Sequence, residues 1–289
     1  MNEAVKIMLA RYRCNSINDY EHALKEIIQE IALLGLWRSK FFEKAAFYGG
    51  SALRILYGLE RFSEDLDFTL LEKDETFCIE HYCRAVQDEL NGFGFSVTVE
   101  KKEKKIESNI SSAFIKAGTL RNIIIIDMKA SVIKKIHREK TMKIKLEVDI
   151  DPPGDFLTEV KYLFQPVAFS VNTCSLPHLF AGKMHAILCR SWGKRVKGRD
   201  WYDLVWYMGR DIPVGLKHLE SRMKQTGHIK EKEVLTEEIL KEKLLERIKT
   251  VDFNNARKDV VNLLKDPSSL TLWSEEFFSF ICKKIRTVQ

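Results

Sequence analysis

Uninterrupted apolar runs are short in this 289-residue chain; Ile123–Ile126 is one of them. All fall far below the roughly 20 residues that a bilayer span needs, so no transmembrane segment is expected. The opening Met1-Asn2-Glu3-Ala4-Val5-Lys6 sets no cationic stretch ahead of an apolar core, and a secretory signal is not expected either. Cysteine is sparse: six residues (14, 78, 83, 174, 189, 282) are scattered, with no CxxC. That usage reads as reduced thiols in a cytoplasmic protein and suggests neither a disulfide framework nor a zinc site. Internal repeats and low-complexity tracts are also missing.

What is present is ordinary for a folded chain. Hydrophobic residues make up 45% and charged residues 30%, which argues against long disorder. At about 150 residues per domain the length allows two domains or one elaborated one. Lysine and arginine number 47 against 41 acidic residues, a net charge of +6. Such an excess suits a polyanionic partner without establishing one. The distribution says more. Lys129, Lys134, Lys135, Arg138, Lys140, Lys143 and Lys145 fall within one stretch, and Arg190, Lys194, Arg195, Lys197 and Arg199 within another. The first cluster reads equally well as a solvated lysine face. The second adds glycines and Trp192, which could stack on a base.

Hydrophobic spacing predicts an amphipathic helix over Asn18–Leu36, a short strand at Ala46–Tyr48, a helix over Ala52–Tyr57 capped by Gly58, and a half-buried strand at Leu66–Leu70. Phe77–Leu90 reads as helical, and Phe95–Val99, Ala113–Ile115, Ile123–Met128 and Ile144–Ile150 as strands. Asp151-Pro152-Pro153-Gly154 ends this mixed half, and beyond Cys174 the pattern becomes almost wholly helical: Leu176–Arg190, Asp200–Met208, Val214–Lys224, Leu235–Lys249, Asn255–Leu264 and Trp273–Arg286. The expected fold is α+β: a mixed-sheet domain over residues 1–160, followed by a helical domain over 161–289, with the changeover near 155–172.

Two segments carry chemistry. In Phe47-Tyr48-Gly49-Gly50-Ser51-Ala52-Leu53-Arg54, a strand meets a glycine turn and then a helix, so the backbone can approach a phosphate and the helix N-terminus can face it. Ser51 adds a hydroxyl donor there, or simply caps the helix. In Arg61-Phe62-Ser63-Glu64-Asp65-Leu66-Asp67-Phe68, Asp65 and Asp67 lie two apart on a strand, about 6.6 Å along the chain and on one face. A carboxylate pair so placed can hold Mg²⁺ ions roughly 4 Å apart against nucleotide phosphates, or can merely face water. Glu147 or Asp149, which share a face of the Ile144–Ile150 strand, could supply a third carboxylate as metal ligand or general base, with Glu147 the narrow preference, or that face could simply be solvated. Lys183 interrupts an apolar helix, where it needs an anion, whether a phosphate or Asp200 or Asp203, unless it snorkels to the edge. Asp200 reads as an N-cap, as the group that orients Lys183, or as a base.

Taken in order, Gly49–Arg54, Arg61–Phe68, Lys183-Met184-His185-Ala186 and Arg199-Asp200-Trp201-Tyr202-Asp203-Leu204 resemble the four motifs of the AbiEii/AbiGii toxin family, relatives of the MenT-type toxins. The resemblance implies a DNA polymerase β-like nucleotidyltransferase core with a helical C-terminal domain. It implies Gly49, Gly50, Ser51 and Arg54 as the nucleotide-binding turn, Asp65 and Asp67 as Mg²⁺ ligands, Lys183 on the nucleotide phosphates and Asp200 as a further catalytic acid. It also implies an NTP substrate, an RNA acceptor such as the tRNA 3′ end, and a separate antitoxin protein of a type IV pair. Two other readings remain: NTP-dependent modification of a protein hydroxyl, and a non-catalytic nucleotide- or RNA-binding module.

Overall fold

The computed structural model of the chain describes residues 2–101, 119–127, 141–191 and 196–289. Their contacts divide them into a sheet unit (Met1–Gly58, Phe62–Pro152, Glu159–Thr173) and a helical unit (Leu59–Arg61, Pro153–Thr158, Cys174–Gln289). Among the described residues no helix is long and apolar enough to cross a membrane. The Ala113–Ile115 strand expected from sequence lies outside the described residues. So do Lys129, Lys134, Lys135, Arg138 and Lys140 of the first basic stretch, and Trp192, Lys194 and Arg195 of the second.

The sheet unit contains α1 (Glu3–Leu9), α2 (Ile17–Arg38), β1 (Ala45–Tyr48), α3 (Gly49–Tyr57), β2 (Leu66–Leu70), α4 (Glu80–Gly92), β3 (Ser96–Lys101), β4 (Thr119–Asp127), β5 (Thr141–Asp149), β6 (Thr158–Leu163) and β7 (Phe169–Cys174). The strands form one mixed sheet in the order β3-β4-β5-β2-β1-β7-β6. β2 lies at its centre, antiparallel to β1 and parallel to β5. Phe47 of β1 and Phe68 of β2 stack with ring centroids 5.1 Å apart, and Phe41 meets Phe68 edge-on at 4.9 Å. All three are fully buried.

α2 opens with a capping box: the Ser16 hydroxyl accepts from the Asp19 amide, and the Asp19 carboxylate accepts from the Ser16 amide at 2.8 Å. The spacing predicted an amphipathic helix, yet every residue from Glu26 to Leu36 is buried, because α1, α4 and the sheet cover more than one face. The polar residues caught there are satisfied. Glu26 takes Arg54 at 2.8 Å, Glu30 takes Arg11 at 2.7 Å, and Gln29 donates to the Ser63 carbonyl at 3.2 Å. Lys25 adds an ion pair with Glu64 at 2.8 Å, so α2 fixes the segment that leads into β2.

β6 and β7 extend the sheet unit to Thr173, past the expected changeover at residue 160, which falls inside β6. The reason is legible in burial. β6 is an edge strand whose outward row, Val160 and Tyr162, is exposed and apolar, so its alternation does not separate an inner face from an outer one.

The helical unit comprises α5 (Leu176–Cys189), α6 (Gly198–Met208), β8 (Val214–Gly215), α7 (Leu216–Gln225), α8 (Glu237–Lys249), α9 (Phe253–Val260), α10 (Glu275–Cys282) and β9 (Thr287–Val288). β8 and β9 pair in parallel, a small sheet that the helical pattern had hidden. Phe253 and Phe278 stack at 4.6 Å with Trp201 edge-on to both, and Phe180 stacks on Tyr207 at 4.2 Å. α6 starts at Gly198, two residues before Asp200, because α9 packs against its first turn: a β-carbon at 198 would collide with the Ala256 carbonyl. Gly198→Ala is therefore expected to cost about 1–3 kcal/mol by overpacking. Denaturant unfolding followed by tryptophan fluorescence should show the lower midpoint, and an unchanged midpoint would contradict this packing.

Candidate active site

In the sheet unit, β1 leaves the sheet at Tyr48, whose backbone is extended, and the chain turns into α3 through Gly49 at φ +81°. Only glycine adopts that angle without strain. It is also the only residue that fits, since a β-carbon at 49 would stand 2.6 Å from Asp67 Oδ2. The approach follows from the sheet: β1 and β2 run antiparallel with Tyr48 opposite Asp67, so the last residue of β1 and the start of β2 share one end. α3 is nine residues long, and no side chain caps its first turn. A helix N-terminus carries partial positive charge, so the Asp67 carboxylate beside Gly49 sits in a favourable field.

Asp65 and Asp67 are half-buried while Leu66 and Phe68 between and beyond them are fully buried, as alternation requires. In the parallel pairing of β2 with β5, Asp67 is in register with Glu147, and Thr69 with Asp149. Glu147 is half-buried; Asp149 is only 1% exposed and accepts from the Asp151 amide at 3.3 Å. Sequence alone favours Glu147 over Asp149 by a narrow margin, and register and burial now set the two apart. Lys145 stands 4.0 Å from Asp65 and partly balances the acidic face. Asp65 just ahead of β2, Asp67 on β2 and Glu147 in register on β5 put three part-exposed carboxylates, oxygen donors of the kind Mg²⁺ takes, at neighbouring positions of adjacent strands.

Two of the expected nucleotide contacts are used otherwise. The Ser51 side chain is fully buried, and its hydroxyl donates to the Asp65 backbone carbonyl, fourteen residues on. The N-cap position of α3 is Tyr48, not Ser51, and the Ser51 hydroxyl ties the helix to the segment carrying the first aspartate. Arg54 pairs with Glu26 on α2 and lies over the Phe62 ring at 4.6 Å, while His22 stacks on that ring at 4.3 Å. Its charge braces α3 against α2.

In the helical unit, Lys183 of α5 is 2.8 Å from both Asp200 and Asp203 of α6. Arg61 grips Asp203 in a bidentate pair, Nε to Oδ1 at 2.5 Å and Nη2 to Oδ2 at 2.7 Å. Arg190 reaches the second oxygen of Asp200 at 2.8 Å. Three cations thus surround two carboxylates, and Lys183 does not snorkel: its side chain is 13% exposed. Burial works against the charge on Asp200, but Lys183 and Arg190 outweigh it and hold its carboxyl below the ordinary range. Asp200 is not the N-cap of α6, which is Lys197; both of its oxygens are bonded to cations. Arg61 and Asp203 complete the cluster. Sequence places Arg61 inside a motif without a role, and Asp203 as an anion for Lys183 or as a first-turn acid of the following helix.

A family described as nucleotidyl transferase AbiEii toxin, type IV TA system, matches residues 31–276. Two crystal structures are similar in fold. One is of a candidate nucleotidyltransferase from H. pylori, with TM-score 0.52 and 15% identity over 91% of this chain and 93% of that one. The other is JHP933 from Helicobacter pylori, with TM-score 0.51 and 16% identity over 91% of this chain and 90% of that one. At such identities the likeness speaks for the fold alone. No curated protein matches the chain.

The ion cluster sets a pH dependence. Asp200 has a folded pKa below its ordinary 3.8, so the stability it contributes is complete above that value and is lost as pH falls through the lower folded value. The stability difference between the native chain and Asp200→Asn is expected to shrink below about pH 4. Urea unfolding at stepped pH checks this, and a constant difference would contradict it.

Proposed function

Because the chain belongs to the AbiEii family, the nucleotidyl transferase toxins of type IV toxin–antitoxin systems, we propose that it transfers a nucleoside monophosphate from an NTP to a hydroxyl of an RNA acceptor, the tRNA 3′ end foremost. The observation that carries this reading is the seat formed by Gly49, the α3 N-terminus and the Asp65–Asp67–Glu147 face. The acceptor oxygen forms a bond to the α-phosphorus, the bond from that phosphorus to the α,β-bridging oxygen breaks, pyrophosphate leaves, and the hydroxyl proton passes to a base.

Asp65 and Asp67 would hold divalent metal, Mg²⁺ by the chemistry of their oxygens, and the metal would supply Lewis-acid stabilisation of the phosphate charge. Glu147 is the third carboxylate in this proposal, supported by its register with Asp67 and its access to solvent; the buried Asp149 serves the fold. The Gly49–Gly50 backbone offers the close approach that a triphosphate needs. Lys183 is proposed as a phosphate contact on the strength of its motif, with Asp200 and Asp203 holding its ammonium in one orientation. A cognate antitoxin protein is the expected partner, and cytoplasm the expected compartment.

The test is a transfer assay with purified protein, total tRNA, Mg²⁺ and each α-labelled NTP in turn. Label on tRNA, reduced about a hundredfold or more in Asp67→Asn and Glu147→Gln, is the expected result. Asp149→Asn should lower the unfolding midpoint with a smaller loss of transfer. Label on protein would move the acceptor to a protein hydroxyl, and γ-label without α-label would make the reaction phosphorylation. No label from any nucleotide would overturn the reading.

A further inference from the structure

Far in sequence from the acidic motifs, three residues of the helical unit bring metal-binding side chains together. His185 and Cys189 lie four apart on α5, hence on one face of the helix. His228 follows α7 and reaches them because of how α7 ends. Gly227 takes φ +72°, the Gly227 amide donates to the Lys224 carbonyl at 2.9 Å, and the His228 amide donates to the Met223 carbonyl at 2.8 Å. This is the Schellman closure of a helix, which turns the chain back over its own last turn. One ligand atom from each of His185, Cys189 and His228 then falls within 4.8 Å of the other two. His185 and Cys189 are buried and His228 is half-buried.

We propose that His185, Cys189 and His228 form a binding site for a borderline-soft transition-metal ion of the Zn²⁺ class, which ties α5 to the end of α7. The donor set is the first argument. Two imidazoles and a thiol suit zinc, whereas the hard oxygens of Asp65 and Asp67 suit magnesium. The second argument is distance. Zinc bonds of about 2.0–2.1 Å to nitrogen and 2.3 Å to sulfur put tetrahedral donors about 3.3–3.7 Å apart, so closure asks for movements of about 1 Å. The third is the outer oxygen. Thr226 Oγ1 lies 2.9 Å from His185 Nε2 and 2.9 Å from His228 Nδ1, while it donates its own hydrogen to the Arg222 carbonyl at 2.8 Å. One oxygen therefore touches both rings, and with the metal on the opposite nitrogen of each it would serve as the outer partner that metal-ligating histidines use. Loading replaces the Cys189 thiol proton with the metal, one proton leaving per ion, and a water fills the fourth position. The plain alternative is a pair of interior histidines satisfied by Thr226, with Cys189 as packing.

Cobalt(II) separates the two, because thiolate ligation gives a charge-transfer absorption that oxygen ligands such as Asp65 and Asp67 do not. Reduced full-length protein, stripped with a chelator, is titrated with Co²⁺ and then with Zn²⁺. The charge-transfer band should saturate at one equivalent and be displaced by Zn²⁺. It should vanish in Cys189→Ser, and Zn²⁺ affinity should fall at least tenfold in His228→Gln, whose side chain is partly exposed and least needed for folding. Circular dichroism on each variant confirms that it is folded. Absence of the band in the native chain, or a band that survives Cys189→Ser, would overturn the proposal. None of these readouts depends on nucleotidyl transfer, so either proposal can fail alone.

Discussion

The Asp67 carboxylate rests against the backbone of Gly49, at a distance that any side chain at 49 would close, and most of the sheet unit follows from keeping that approach. The antiparallel register of β1 and β2 puts Tyr48 opposite Asp67, and the positive φ of Gly49 starts α3 within one residue of the strand end. The Ser51 hydroxyl on the Asp65 carbonyl then locks the second turn partner to the first. Behind them α2 supplies Glu26 for Arg54, Gln29 for the Ser63 carbonyl and Lys25 for Glu64. These part-buried polar contacts are worth little individually beyond satisfying each other, and the more enclosed of them become costly if a partner is removed. They give a rigid frame to a pair of acids whose like charges would otherwise push the segment apart.

A different economy governs the helical unit. Arg61, Lys183 and Arg190 against Asp200 and Asp203 leave the cluster cationic, with the lysine ammonium already oriented. Burying such a set is a poor source of stability and a good source of fixed geometry. Lys183 and Arg190 hold the Asp200 carboxyl below its ordinary range despite its burial.

Local pattern made the glycine turn, the Gly58 cap and the Asp65–Asp67 spacing legible, because each depends on residues within one or two turns of chain; Gly58 indeed closes α3 at φ +75°. What sequence could separate only by a narrow margin were two positions on one strand. Glu147 and Asp149 point the same way by alternation, and only the register with β2 and the cover over the face make one accessible and the other buried. Long-range partners were equally hidden. Ser51 finds a carbonyl fourteen residues away, and Arg61 finds Asp203 across 142 residues. Arg54 is assigned to the nucleotide turn by the resemblance of its motif, and its ion pair with Glu26 of α2 was not visible in sequence. The edge strand β6 escaped because its outward residues are apolar, and α1 because it is only seven residues long.

The central claim is that Asp67 and the glycine turn form one seat for metal and nucleotide, and binding tests it more directly than turnover does. The measurement is the affinity for an α,β-methylene NTP, with and without Mn²⁺, in the native chain and in the isosteric Asp67→Asn. The account predicts that Mn²⁺ tightens binding by at least about tenfold in the native chain and that Asp67→Asn loses this gain. An Mn²⁺ effect that is the same in both proteins would contradict it.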